Sequence, residues 1–235
     1  YIKNQAIEYL KSSVSEDDPF FLFVSFPDPH HPFNPPGKYW DMYSPSDFEP
    51  NLSYEDHKNP TPPMQFLYQN WKNGKGQLTP QTATMIEREQ IKEAMALTAG
   101  MITMVDDAIG EIITALNNSN QTDNTIICFN SDHGDYLGDF NMILKGALPF
   151  KSITRVPFIC SDPQQQQQPY SKTLSSTIDL SATILDRAGI NPYFGIKGKT
   201  LLSSMSKDEK VRNELLIEYN DGGSRLGFEA PARVR

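Results

Sequence analysis

Between Ile86 and Asn117 apolar residues return at intervals of three and four, from Ile91, Ala94 and Met95 through Met101, Val105 and Ile109 to Leu116. That spacing gathers them on one broad face of a single long helix, which Asn117-Asn118-Ser119-Asn120 ends. The helix lies between two apolar runs of strand length, Phe20 to Ser25 and Thr125 to Asn130. A crossover of this kind is what two parallel neighbouring strands require. Runs apolar throughout fit strands buried on both faces, as in parallel sheets. Further elements follow the same logic: a short amphipathic helix from Ile2 to Leu10, a strand from Val156 to Cys160, a helix from Thr177 to Ala188 stopped by Gly189, and a strand from Leu215 to Tyr219. The order predicts an α/β fold, a mostly parallel sheet flanked by helices.

The length of 235 residues suits one such domain with a sizeable core. A net charge of −8 argues against nucleic acid or an anionic membrane as the main partner, since both reward clustered Lys and Arg. No apolar stretch reaches the roughly 18 residues of a membrane span. Cys128 and Cys160 each sit in an apolar run and read as buried free thiols, leaving the redox compartment open. Phe26 to about Pro80 is rich in Pro, Asn, Asp and aromatic residues and reads as a long packed loop. The glutamine run Gln164 to Gln168 reads as a solvated surface loop. Starting at Tyr-Ile-Lys-Asn and ending at Ala-Arg-Val-Arg, the sequence is expected to be part of a larger domain.

Two polar clusters follow the apolar runs closely. His30 and His31 stand just beyond Ser25, and Asp132 and His133 come directly after Asn130-Ser131. Ligands of open α/β sheets bind outside the carboxyl ends of strands, so parallel strands would bring the clusters to one rim. Asp132 is a hard oxygen donor suited to Ca²⁺ or Mg²⁺, and His133 supplies nitrogen for a metal or a proton. Gly134 and Gly138 let the segment Ser131 to Asp139 turn sharply. Lys145 follows, a charge able to hold an anionic oxygen. Asp132-His133-Gly134 is equally compatible with an ordinary turn in which the aspartate bonds its own backbone. Gly195 to Thr200 ends like a phosphate-binding loop, but its first glycine position is Tyr193 and no apolar strand precedes it. Asp106 and Asp107 point about 100° apart on the long helix, which favours a structural role.

The segments Phe-Phe-Leu-Phe-Val-Ser-Phe-Pro-Asp-Pro-His-His-Pro-Phe (20–33), Asn-Thr-Ile-Ile-Cys-Phe-Asn-Ser-Asp-His-Gly-Asp-Tyr-Leu-Gly (124–138), Lys145-Gly146 and Arg155-Val156-Pro157 resemble, in order, blocks of the sulfatase family of the alkaline phosphatase superfamily. The helix around Asp179 to Ile190 and the stretch from Glu218 onward resemble later blocks. The resemblance implies an alkaline-phosphatase-like fold and hydrolysis of sulfate esters with a divalent cation, usually Ca²⁺, and a formylglycine nucleophile. It implies Asp132 and His133 as metal ligands, Lys145 as a catalytic grip on a sulfate oxygen, and His30 as the general acid at the leaving group. His31 and His133 are implied as further substrate contacts. The family's nucleophile motif, Cys/Ser-x-Pro/Ala-x-Arg, is not present: Cys128 is followed by Phe-Asn-Ser-Asp and Cys160 by Ser-Asp-Pro-Gln. Residues 1–235 are therefore expected to be the central and C-terminal part of a catalytic domain, inactive alone and weak in Ca²⁺ binding. Two rival readings are a phosphonate or phosphate ester hydrolase of the same superfamily and a non-catalytic relative that binds sulfated glycan.

Overall fold

The computed structural model describes residues 1–12, 18–75, 83–146, 148–163, 170–207 and 209–218. Its helices are α1 (Ile2–Ser12), α2 (Pro62–Lys72), α3 (Arg88–Asn118), α4 (Lys151–Thr154), α5 (Ile178–Arg187) and α6 (Leu202–Lys207). Its strands are β1 (Thr84–Met85), β2 (Ile127–Asn130), β3 (Met142–Ile143) and β4 (Phe158–Ser161).

Helix α3 organises the rest. Its first turn is closed by a capping box in which the Glu87 amide donates to Gln90 Oε1 at 3.2 Å. The apolar stripe predicted from the periodicity is buried at Ile91, Ala94, Met101, Val105 and Leu116. Helix α1 lies on its C-terminal half, where Leu10, Ala115 and Leu116 form a cluster joined by Ile7, Phe20, Leu22, Ile112 and Ile127. Lys3 Nζ pairs with Glu111 across that contact at 2.7 Å. Near the middle of α3 the backbone at Tyr39 presses on Gly100: a Cβ there would stand 2.3 Å from the Tyr39 carbonyl oxygen. The loop is held at this point by Asp107, which accepts from Lys38 Nζ at 2.9 Å and from Tyr39 Oη at 2.7 Å. That is the structural role expected of Asp107.

The sheet differs from the expectation. Among the described residues there are two two-stranded sheets, β1 with β3 and β2 with β4, and both are antiparallel. Phe20 to Ser25 alternates half-buried and exposed like a strand but joins no ladder there. It is covered on one face only. Phe20 and Leu22 pack inward, whereas Phe21 is 69% and Phe23 72% exposed. Leu215 to Glu218 likewise forms no strand, its apolar side chains lying exposed without a neighbouring ladder, and Tyr219 lies outside the described residues. The mostly parallel sheet is thus corrected to short antiparallel pairs.

The cysteines are corrected too. Cys128 and Cys160 are register partners on β2 and β4, with Cα atoms 4.2 Å apart, and they are joined as a disulfide. Direct opposition across an antiparallel pair brings two side chains within bonding reach, which spacing along the chain does not reveal. The long loop hides a further element: α2 starts on Pro62-Pro63, where a missing amide costs nothing, and buries Met64 and Leu67. Those residues, with Ala83, Met85, Tyr136, Met142 and Leu148, make a second cluster. The glutamine run lies outside the described residues. No described helix is long and apolar enough to cross a membrane.

Candidate active site

Strand β2 ends at Asn130 and delivers Ser131, Asp132 and His133 to a turn. The Ser131 hydroxyl donates to the His133 carbonyl at 2.9 Å, and the His133 amide donates to Asp132 Oδ1 at 2.8 Å. The ordinary-turn reading of Asp132 therefore holds for one carboxylate oxygen. The other, Oδ2, lies 3.5 Å from His133 Nε2, and the Asp132 side chain is 84% exposed. His133 Nδ1 sits 2.8 Å from the Gly134 carbonyl, which only accepts, so Nδ1 carries a proton, and in the neutral ring Nε2 presents a lone pair. Two lone-pair atoms then face each other, an arrangement that a cation or a proton between them relieves.

The loop continues under strain. Leu137, Phe140, Asn141 and Leu144 all have positive φ, at 38°, 55°, 64° and 65°. Each such residue costs on the order of 1 kcal/mol, so the surroundings must impose the shape. Three features do so. Buried Tyr136 donates through its hydroxyl to the Leu148 carbonyl at 2.9 Å and accepts from the Leu148 amide at 3.0 Å. The Tyr136 amide donates to the Leu144 carbonyl at 2.8 Å. Gly138, at φ 108°, lies so close to α3 that a Cβ would stand 2.7 Å from Ile91 Cγ2.

Leu144 is buried in a third cluster with Ile91 and Ile143, and Lys145 follows it, half-buried. Phe33 packs against that same cluster. Phe33 lies three residues beyond His30, so the histidine loop and the lysine loop are anchored on common ground. His30 and His31 stack with ring centroids 4.1 Å apart, and His30 Nδ1 lies 2.6 Å from the His31 carbonyl. Nδ1 is again the protonated nitrogen, and Nε2 is turned over to a partner or to solvent. The structure thus groups the predicted residues as His30 with His31, and Asp132 with His133.

One residue was quoted in the sequence motif without being singled out. Asp135 accepts from the Leu137 amide at 2.9 Å. Burial pushes its carboxyl above the usual aspartate range, against the opposing pull of the nearby backbone amides of Leu137 and Leu144 and of Lys145 and His133. The available signal was an aspartate able to bond the amide two residues on.

Asp132 and His133 fit one flank of a hard-cation site. They do not complete one, since Ca²⁺ takes six to eight oxygen ligands. Among the described residues no three His, Cys, Asp or Glu side chains gather as a metal site.

Comparison with known proteins decides the family. A sulfatase family model matches residues 2–190. The chain belongs to the sulfatase family. The sulfatase chain is 30% identical over 240 residues to an arylsulfatase of Clostridium perfringens, covering 98% of itself and 45% of that relative. It is 27% identical to a choline-sulfatase of Rhizobium meliloti, covering 93% of itself and 42% of the relative. Among solved structures it superposes on a phosphonate monoester hydrolase of Agrobacterium radiobacter with a TM-score of 0.74 and 26% identity, over 93% of this chain and 44% of that one. The sulfatase chain therefore spans under half the length of these relatives.

Proposed function

We propose that this chain is the central and C-terminal part of the catalytic domain of a sulfate-ester hydrolase. In this reading the nucleophile, a formylglycine, and the remaining cation ligands lie outside residues 1–235. The packing of Phe33 against the Leu144 cluster carries the reading, because it ties the loop of His30 to the residue preceding Lys145. A second tie supports it. Phe20 and Leu22 share a cluster with Ile127, so the segments leading to His30 and to Asp132 start from the same ground.

The roles follow from donor chemistry. Asp132 Oδ2 and His133 Nε2 would hold one side of a divalent cation, with Ca²⁺ the best match to the carboxylate. Such a cation, when bound, supplies a positive charge that polarises the sulfate. Lys145 would hold a sulfate oxygen by charge, adding to the neutralisation of the transferring group. His30, as the imidazolium with Nδ1–H committed to the His31 carbonyl, would present Nε2–H to the leaving-group oxygen as general acid. His31 and His133 would contact the substrate beside these groups.

The test is kinetic, in the full-length protein with an aryl sulfate. Lys145→Ala is expected to lower kcat/KM about 100-fold or more, on the scale of a lost charge-stabilising donor. His30→Ala should lower it about 100-fold, and less for substrates with a good leaving group. Both variants retaining wild-type turnover would overturn the assignment. The phosphonate monoester hydrolase neighbour, at 26% identity, favours one alternative, a phosphonate or phosphate ester substrate. Faster turnover of an aryl phosphonate than of the aryl sulfate would select it.

A further inference from the structure

The turn that carries Asp132 and His133 is seated on α4 at one residue, Gly134. Its amide donates to the Ile153 carbonyl at 2.9 Å. A Cβ at Gly134 would stand 1.8 Å from the Ser152 carbonyl oxygen and 2.9 Å from its carbon. Both obstacles are backbone atoms, so no rotation of a side chain makes room. Gly134 has no positive φ. It is glycine for close approach, and not for the sharp turn expected from the sequence. Its third contact faces the site: the Gly134 carbonyl accepts Nδ1–H of His133 at 2.8 Å. The support beneath is anchored in turn. Phe150 and Ile153 pack against the cluster that holds Met64, Met85 and Tyr136. The amides of Ile153 and Thr154 both donate to the Phe150 carbonyl at 3.0 Å.

We propose that Gly134 is a positioning residue: its backbone, docked on Ser152 and Ile153, fixes the carbonyl that holds His133 with Nδ1 protonated and Nε2 toward Asp132 Oδ2. A neutral imidazole without such an acceptor can place its proton on either nitrogen. Gly134 itself touches no reacting atom. The proposal rests on the reading of Asp132 and His133 as site residues, and goes beyond it in naming what sets the tautomer and the aim of the histidine.

The tautomer gives a readout separate from stability and from turnover. It is read in the full-length protein labelled with ¹⁵N at histidine, in chelator, at about pH 8.5, above the ordinary histidine range. His133 is the signal lost in His133→Gln. In the wild type its Nδ1 is expected to be protonated and its Nε2 bare. Gly134→Ala should shift the ring to a mixture of tautomers and lower kcat/KM for an aryl sulfate about 10- to 100-fold, the scale of losing a group that orients a site histidine. Gly110→Ala, at a helical glycine with open space around it, should change neither. A wild-type ring protonated on Nε2 would overturn the proposal, as would an unchanged tautomer in Gly134→Ala. Where the alanine variant does not fold, the wild-type spectrum and the hydrogen exchange of the Gly134 amide carry the test. Exchange of that amide within twofold of an unstructured peptide would overturn the docking on Ile153. A wild-type protein without sulfate-ester turnover, but with a His133 ring that responds as described, would remove the functional reading and leave the positioning role standing.

Discussion

Asp179 and Asp135 are both drawn out of water, to different degrees, and folding shifts their proton affinities in opposite directions. Asp179, at the start of α5, is wholly buried. It accepts the Ser176 amide at 2.8 Å, the Lys199 amide at 2.8 Å and both terminal nitrogens of Arg212 at 2.6 Å. Burial alone would push its carboxyl up, but the guanidinium and the two amides more than reverse that and hold it below the usual range. Asp135 is bonded by the Leu137 amide and by no guanidinium, and there burial prevails. The two sites show that burial does not fix the sign of the shift. A directly bonded cation does. The C-terminal site is built for stability, since every lone pair is used. The loop of Asp135 keeps a carboxylate in a place that disfavours its charge, as functional sites often do.

The sharpest way to break this contrast is to cut the buried pair. Asp179→Asn leaves Arg212 half-partnered in a site where its side chain is only 10% exposed. The expected loss is about 3 kcal/mol or more in urea unfolding at neutral pH, on the scale of breaking a buried ion pair. A loss under about 1 kcal/mol would place Asp179 with ordinary surface acids. The pH dependence adds a second readout. A depressed folded-state value makes the stabilisation present above the ordinary carboxylate range and lost as pH falls through the folded value. The gap between wild type and Asp179→Asn should therefore narrow on acidification.

A smaller effect is expected at the bridge between the two site loops. Phe33→Ala removes a partly buried ring packed against the cluster that Ile91, Ile143 and Leu144 form. A loss of about 1–2 kcal/mol is expected, below the cost of deleting a fully buried ring. The consequence for the site should exceed the consequence for stability, because the same ring anchors the His30 loop. Nuclear magnetic resonance shifts should move at both His30 and Lys145. Movement at His30 alone would mean that the loops are held independently.

The contrast also marks what could be read from residues alone. The helices α1, α3 and α5 were legible because each shows the period of an amphipathic helix and ends at a recognisable stop, such as Gly189 after α5. The cores of β2 and β4 were legible as apolar runs. Their antiparallel pairing was not, because an apolar run carries no sign of direction or partner, and the opposition of Cys128 to Cys160 depends on that pairing. Helix α2 was hidden by the two prolines at its start, which read as loop from a distance and as a helix N-terminus once Met64 and Leu67 are seen to be buried. The pairing of Asp132 with His133 was legible from adjacency. The course of the loop from His133 to Lys145 was not, since it folds back through left-handed Leu137, Gly138, Phe140, Asn141 and Leu144, which no periodicity announces.

The least costly substitution gives the finest test of the contrast. Asp135→Asn keeps the size of the side chain and an acceptor oxygen while removing the charge. The folded-state value of Asp135 is raised, so its contribution to stability is fully present at pH below the unfolded value of about 3.9 and is lost as pH rises through the folded value. At neutral pH the wild-type chain therefore carries an ionised group in a site that disfavours it. The asparagine variant should be the more stable there, by an amount within about 1 kcal/mol, typical of a mild polar substitution. On acidification the wild type regains its deficit as Asp135 takes up a proton, and the two unfolding curves should converge near pH 4. This is the reverse of the Asp179 variant, whose deficit at neutral pH shrinks on acidification because the wild type loses stability. A variant at Asp135 that is less stable at pH 7, with a gap that narrows in acid, would mean that the Leu137 amide and the nearby cations outweigh burial there. The two carboxylates would then be the same kind of site, differing only in strength.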